Sequence, residues 1–147
     1  TFYWVGDGAY REKILPILSK FKNFTWLGSM SYPDQVREFL DEIDVYGLIS
    51  GIDMSPLTLQ EAQLMKKPVL ATNVGGIPEL MKDKETGFLI EKGDHKEWID
   101  KISYLLNDEK TAHQMGLSGR KFIEENFSWN IIAKKFVNDV QKELNLK

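Results

Sequence analysis

Apolar and polar positions alternate between two periods along this chain. Phe2-Tyr3-Trp4-Val5 is a β-rich run stopped by Gly6-Asp7-Gly8, and Tyr10 to Phe21 then carries Ile14, Leu15, Ile17, Leu18 and Phe21 at helical spacing. The unit recurs. Phe24 to Leu27 is a second short strand ending at Gly28. Ser31 and Pro33 open a helix whose Val36, Phe39, Leu40 and Ile43 return every third or fourth position. Val45 to Ile49 predicts a third strand and Leu57 to Lys67 a third helix. Val69 to Thr72, a short helix over Pro78 to Met81, and a last strand at Phe88 to Ile90 follow. Beyond Gly93 the pattern is helical only: Lys96 to Leu106, Glu109 to Glu125 and Asn130 to Leu144, expected to cover one side of the sheet. Strands alternating with helices over short connections predict an α/β fold. It is a Rossmann-like parallel sheet with helices on both faces, because each parallel crossover carries the chain back over the sheet.

Composition narrows the function classes. At 147 residues and 42% hydrophobic content, the chain is one domain's worth of sequence and can bury a core without disulfides. No boundary is drawn inside it. It has no Cys, which excludes a thiolate metal site or thiol nucleophile and fits a cytoplasmic or otherwise reducing location. The formal charge of -3 is spread along the chain, which gives nucleic acid no basic surface to bind. No apolar run approaches the length of a membrane span. His95 and His113, the two imidazoles, fall in polar surroundings and read as exposed spectators. With no ligand-spaced His pair, a metal site is not expected. Trp26, Trp98 and Trp129 read as packing residues.

In an open parallel sheet, ligands bind beyond the carboxyl ends of the strands, so the loops after each strand carry the chemistry. Gly6-Asp7-Gly8-Ala9-Tyr10-Arg11 begins like a dinucleotide fingerprint but has Arg11 at the third glycine. A tight turn explains Gly6 and Gly8 at least as well as ligand contact. Ser50 to Pro56 is the richest loop. Ser55 is placed to cap a helix and Pro56 to occupy its first position, leaving the amides of Leu57 and Thr58 in the open first turn. Free amides and the positive end of the helix dipole form an anion site. Thr58 and Glu61 share a face near that end, where Glu61 is suited to sugar hydroxyls and not to phosphate. Gly75 and Gly76, just before the helix that Pro78 starts, either present amides to an anion or answer a steric need, with equal weight.

At these loops the sequence resembles the C-terminal domain of GT-B glycosyltransferases, in particular the large retaining group of family 4. The matching segments are Val5 to Gly8, Phe24 to Gly28, Asp53 through Glu61-Ala62, Lys67 to Leu80, Thr86 to Ile90 and Phe127-Ser128-Trp129. The resemblance implies a nucleotide-sugar-binding domain of a hexosyltransferase acting in polysaccharide or glycoconjugate biosynthesis. Glu61 stands at the second acid of the family's pair, which holds the donor ribose. Asp53 stands at the first, the catalytic acid beside the transferred sugar. Ser55, Pro56, Leu57 and Thr58, with Gly6, Gly8, Gly75 and Gly76, would line the donor, and Leu57 and Thr58 would offer amides to its diphosphate. No cofactor or metal is implied; the nucleoside diphosphate sugar is a substrate. The acceptor would be a sugar or lipid-linked hydroxyl, brought by an N-terminal domain, in a cytoplasmic enzyme that works at the membrane periphery when full-length.

Two departures stand out. The first acid of the family is usually Glu, and Asp53 is shorter by roughly 1.5 Å, enough at about 1 Å of displacement to cost on the order of a hundredfold in rate. The family's Arg and Lys, on a strand and helix ahead of Phe2, have no counterpart, so the chain is expected to be a fragment lacking the first strand of its sheet and the acceptor domain. Three alternatives remain. They are an NAD-dependent dehydrogenase, disfavoured by Arg11; a sugar-nucleotide epimerase; and a non-catalytic nucleotide-sugar-binding or regulatory module, favoured by Asp53.

Overall fold

The computed structural model describes residues 1–144. Its elements run β1 (Phe2–Val5), α1 (Arg11–Leu18), β2 (Phe24–Gly28), α2 (Asp34–Glu42), β3 (Tyr46–Leu48), α3 (Leu57–Leu64), β4 (Val69–Thr72), a 3-10 turn (Ile77–Glu79), β5 (Gly87–Ile90), α4 (His95–Asn107), α5 (Glu109–Phe127) and α6 (Trp129–Glu143). Every predicted strand and helix is present and all strand pairings are parallel. The fold is of the α/β class that the alternation predicts. The single sheet expected from periodicity occurs as two ladders, β1-β2 and β3-β4-β5. Periodicity identifies strands but carries no information on which of them pair.

The chain forms two compact units, residues 1–41 and residues from Glu42 on. In the first, β1 and β2 pair from Phe2 with Phe24 to Trp4 with Trp26, after which the register shifts and Val5 meets Gly28. Only Leu40 is buried in this unit. The first helix is shorter than Tyr10 to Phe21. Pro16 inside it has no N–H to offer the Glu12 carbonyl, and the helix stops at Leu18.

In the second unit, β4 is central and buried along its whole length, as a strand paired on both edges requires. Leu70, Phe88 and Ile90 of the sheet pack with Leu105 of α4 and Met115 of α5, and Trp98 lies against this core. The third helix ends at Leu64, not Lys67. Lys66 takes a left-handed backbone, φ 59°, and the amides of Lys66 and Lys67 turn back to the carbonyls of Gln63 and Ala62 at 2.9 and 3.0 Å. That reversal is a Schellman closure. Here α5 passes close: a Cβ on Gly116 would collide with the Lys66 carbonyl. α6 buries no residue, and Trp129 at its start is 84% exposed, not the packing residue expected from its aromatic character.

Candidate functional site

The loop between β3 and α3 leaves the sheet at its carboxyl edge and is held from two directions. At one end the Ser50 amide donates to Thr72 Oγ1 at 3.1 Å, while that hydroxyl donates to the Leu48 carbonyl at 3.3 Å. Thr72 ends β4, so the strand that anchors the sheet also ties down the first turn of the loop. At the other end the Gly76 amide donates to the Asp53 carbonyl at 3.0 Å. The backbone approach is so close that a Cβ on Gly75 would run into the Asp53 carbonyl and one on Gly76 into that of Met54. Gly75 has φ 55°, a left-handed conformation that also favours glycine. Of the two roles the sequence left open for these glycines, the steric one is realised: they let β4's loop seat beneath the Asp53 loop, and the Gly76 amide is spent on it. Lys92, just past β5, adds a donor to the Gly51 carbonyl at 3.3 Å.

Beyond this clamp the chain enters α3. Pro56, with φ -67° and ψ 109°, is the residue before the helix, and its carbonyl accepts the first helical bond from the Leu59 amide at 3.2 Å. Ser55 therefore does not cap α3, because the extended backbone at Pro56 moves the boundary one residue further on. Ser55 is exposed, Pro56 is buried, and no side chain caps the helix. Leu57 and Thr58 become its first two residues, and their amides point out of the helix with no intrahelical acceptor. The dipole at such an exposed end contributes about 0.3–1 kcal/mol toward an anion, far below the roughly 8 kcal/mol of micromolar affinity. Recognition at this end therefore depends on hydrogen bonds.

α3 buries Leu59, Ala62 and Gln63 against the unit. That orientation leaves Thr58 exposed and Glu61 half-buried, one helical turn apart on the side away from the core. Tyr46, at the start of β3, reaches this side and its hydroxyl donates to Thr58 Oγ1 at 2.7 Å. Burial holds the Tyr46 phenol above its ordinary range; the bond to Thr58 offsets part of this, and the charges of Glu61 and Asp53 add to it. Both acids thus act on one hydroxyl, which puts Asp53, Thr58 and Glu61 in one electrostatic neighbourhood. From the end of β3 to the start of α3, Ile49, Ile52, Met54 and Leu57 are each at least 68% exposed.

Gly6 and Gly8 lie in the first unit. The Gly6 amide donates to the Gly28 carbonyl at 2.7 Å, and its carbonyl accepts from the Trp26 indole at 2.9 Å. The Gly8 amide donates to Asp7, whose carboxylate also pairs with Arg11 at 2.7 Å. Arg11, which breaks the dinucleotide pattern, closes this turn from the far side. Sequence reasoning missed Tyr46 and Thr72. Thr72 was findable as a polar residue ending an otherwise apolar buried strand; nothing local marked Tyr46, whose partner lies across a loop. Among the described residues, no group of three or more acids and histidines is arranged to hold a metal ion, and no helix is long and apolar enough to cross a membrane.

Known proteins resemble the chain in sequence and in fold. Residues 4–122 match the family described as glycosyl transferases group 1. The N-acetyl-alpha-D-glucosaminyl L-malate synthase of Bacillus anthracis is 32% identical over 132 residues, 90% of this chain and 35% of the relative. The capsular polysaccharide biosynthesis glycosyltransferase CapM of Staphylococcus aureus is 46% identical over 72 residues, 49% of this chain and 19% of the relative. Among solved structures, that of an S. aureus TarM mutant in complex with fondaparinux, alpha-GlcNAc-glycerol and UDP superposes with a TM-score of 0.82 at 26% identity, covering 94% of this chain and 28% of that one. The chain thus spans about a third or less of the length of these relatives. With the match to the family running across four-fifths of its residues, the chain belongs to the group 1 glycosyl transferases.

Proposed function

We propose that this chain is the donor-binding part of a retaining, family 4 glycosyltransferase, and that it grips a nucleoside diphosphate sugar at the opening of α3. The observation that carries the reading is the convergence there of the unpartnered amides of Leu57 and Thr58, the half-buried Glu61, and Asp53 held by the Gly76 amide at 3.0 Å. The diphosphate meets the amides, and Glu61 accepts hydrogen bonds from the ribose hydroxyls. Asp53 lies nearest the anomeric carbon. As the bond from the anomeric carbon to the diphosphate breaks and the acceptor oxygen bonds to that carbon, the acceptor's proton passes to the departing phosphate. The negative charge that gathers on the leaving oxygens is stabilised by fixed amide dipoles without reorganisation. No metal takes part in this scheme. Membership of the group 1 glycosyl transferases, with UDP bound to the TarM mutant, supports a nucleotide-sugar donor. An acceptor hydroxyl on a sugar or lipid comes from a partner domain, in the cytoplasm, and the chain by itself turns over little substrate.

Calorimetric titration with UDP-, GDP- and ADP-sugars tests the donor site: saturable binding of one of them is expected, and binding of none contradicts it. The anomeric configuration of product made by the full-length protein, read by NMR, tests retention. One observation favours a second reading, a non-catalytic binding module: the short side chain of Asp53. Full-length protein that stays inactive both as it is and as Asp53→Glu, while binding donor, would establish that module.

A further inference from the structure

We infer that Tyr46 is a positioning residue that fixes the direction of the Thr58 hydroxyl, so that Thr58 presents its proton to the diphosphate of the donor. The inference rests on the donor site proposed above and deepens it. A threonine hydroxyl has one proton and two lone pairs, and alone it rotates to suit whatever is nearby. Here Tyr46 and Thr58 are 2.7 Å apart, oxygen to oxygen. Between a phenol and an alcohol the phenol is the stronger acid, so it donates and the threonine oxygen accepts. One lone pair of Thr58 is then occupied, and its proton is turned away from Tyr46.

Two features keep the bond in that sense. Burial first, and then the charges of Glu61 and Asp53, keep the phenol protonated and so able to donate. Among the described residues no group accepts a hydrogen bond from the Thr58 hydroxyl, and Thr58 is exposed beside the free amides of the first turn of α3. An acceptor-rich anion arriving at those amides meets a third donor, whose proton is already kept off Tyr46. Tyr46 thereby biases the site toward phosphate oxygens without touching the ligand.

The test is titration of the chain with UDP, GDP and ADP, and with the matching nucleosides, for wild type, Tyr46→Phe, Thr58→Val, Thr58→Ser and the Tyr46→Phe/Thr58→Val double variant, with thermal melts to confirm folding. For whichever diphosphate binds, Tyr46→Phe and Thr58→Val each weaken affinity about three- to tenfold, the effect of one oriented hydrogen bond. The double variant loses no more than either single one. Thr58→Ser retains affinity and nucleoside binding is unmoved. Wild-type affinity in Tyr46→Phe, additive losses in the double variant, or equal losses for nucleoside and diphosphate would overturn the inference while leaving the donor site standing. A wild-type chain that binds no nucleoside diphosphate overturns both.

Discussion

The amide of Gly76 and the carbonyl of Asp53 lie 3.0 Å apart, and through that contact the loop after β4 fixes the height of the loop after β3. Asp53 is therefore not on a free loop. Its backbone is tied to a residue that could bear no side chain without colliding with Met54, and the Ser50 end of the same loop is tied to Thr72. A shorter acid in a fixed place differs from a shorter acid on a mobile one: the clamp, not the side-chain length alone, sets where its carboxylate reaches.

Gly76→Ala should break that clamp. The new methyl meets backbone oxygen, which has no rotamer to escape into, so the cost should lie at the upper end of the range for overpacking, about 3 kcal/mol. Urea unfolding measures it. A folded Gly76→Ala chain with unchanged stability would show that the two loops separate easily.

Thr72→Val keeps the shape of the side chain and removes its hydroxyl. The Ser50 amide, at 3.1 Å from that oxygen, and the Leu48 carbonyl both lose a partner in a region where Thr72 itself is only 2% exposed. A loss of about 1–3 kcal/mol is expected in the same unfolding assay, with weaker nucleotide binding than wild type because the loop loses its first anchor.

Tyr46 makes the chain lose stability at alkaline pH. Its phenol is raised in the folded state, first by burial and then by the fields of Glu61 and Asp53, against the hydrogen bond to Thr58. The folded state therefore holds this proton more tightly than the unfolded chain. The resulting stability is fully present below the unfolded value of 10.0 and is lost as pH rises through the raised folded value. Unfolding free energies of wild type and Tyr46→Phe, compared from about pH 8 upward, should diverge only above about pH 10, with wild type declining more steeply.

The order and type of the elements were legible because each strand is short, apolar and followed by a turn signal, and each helix repeats its apolar face. β4, apolar but for its closing Thr72, was read to the residue. What was not legible depended on contacts distant in sequence. Pairing into two ladders, the Tyr46 to Thr58 bond across a loop, and the seating of Gly75 and Gly76 under Asp53 leave no local pattern. α3 begins at Leu57, where its pattern places it, but its cap was misplaced by one residue because Ser-Pro is a strong local signal for a cap, and the extended backbone of the buried Pro56 outweighed it. Trp129 was misjudged for the opposite reason: an aromatic at a helix start has no local signature of exposure.

The claim on which the rest depends is that the opening of α3 holds a diphosphate while Glu61 holds the ribose. It is tested most directly by titrating wild type and Glu61→Ala with the nucleoside diphosphate that binds and with its 2′,3′-dideoxy counterpart. Glu61→Ala should lose about tenfold or more for the ribose form, the effect of hydrogen bonds to a charged group, and little or nothing for the dideoxy form, which wild type already binds weakly. Equal affinity of wild type for the two forms, or an equal loss for both on removing Glu61, would contradict the account.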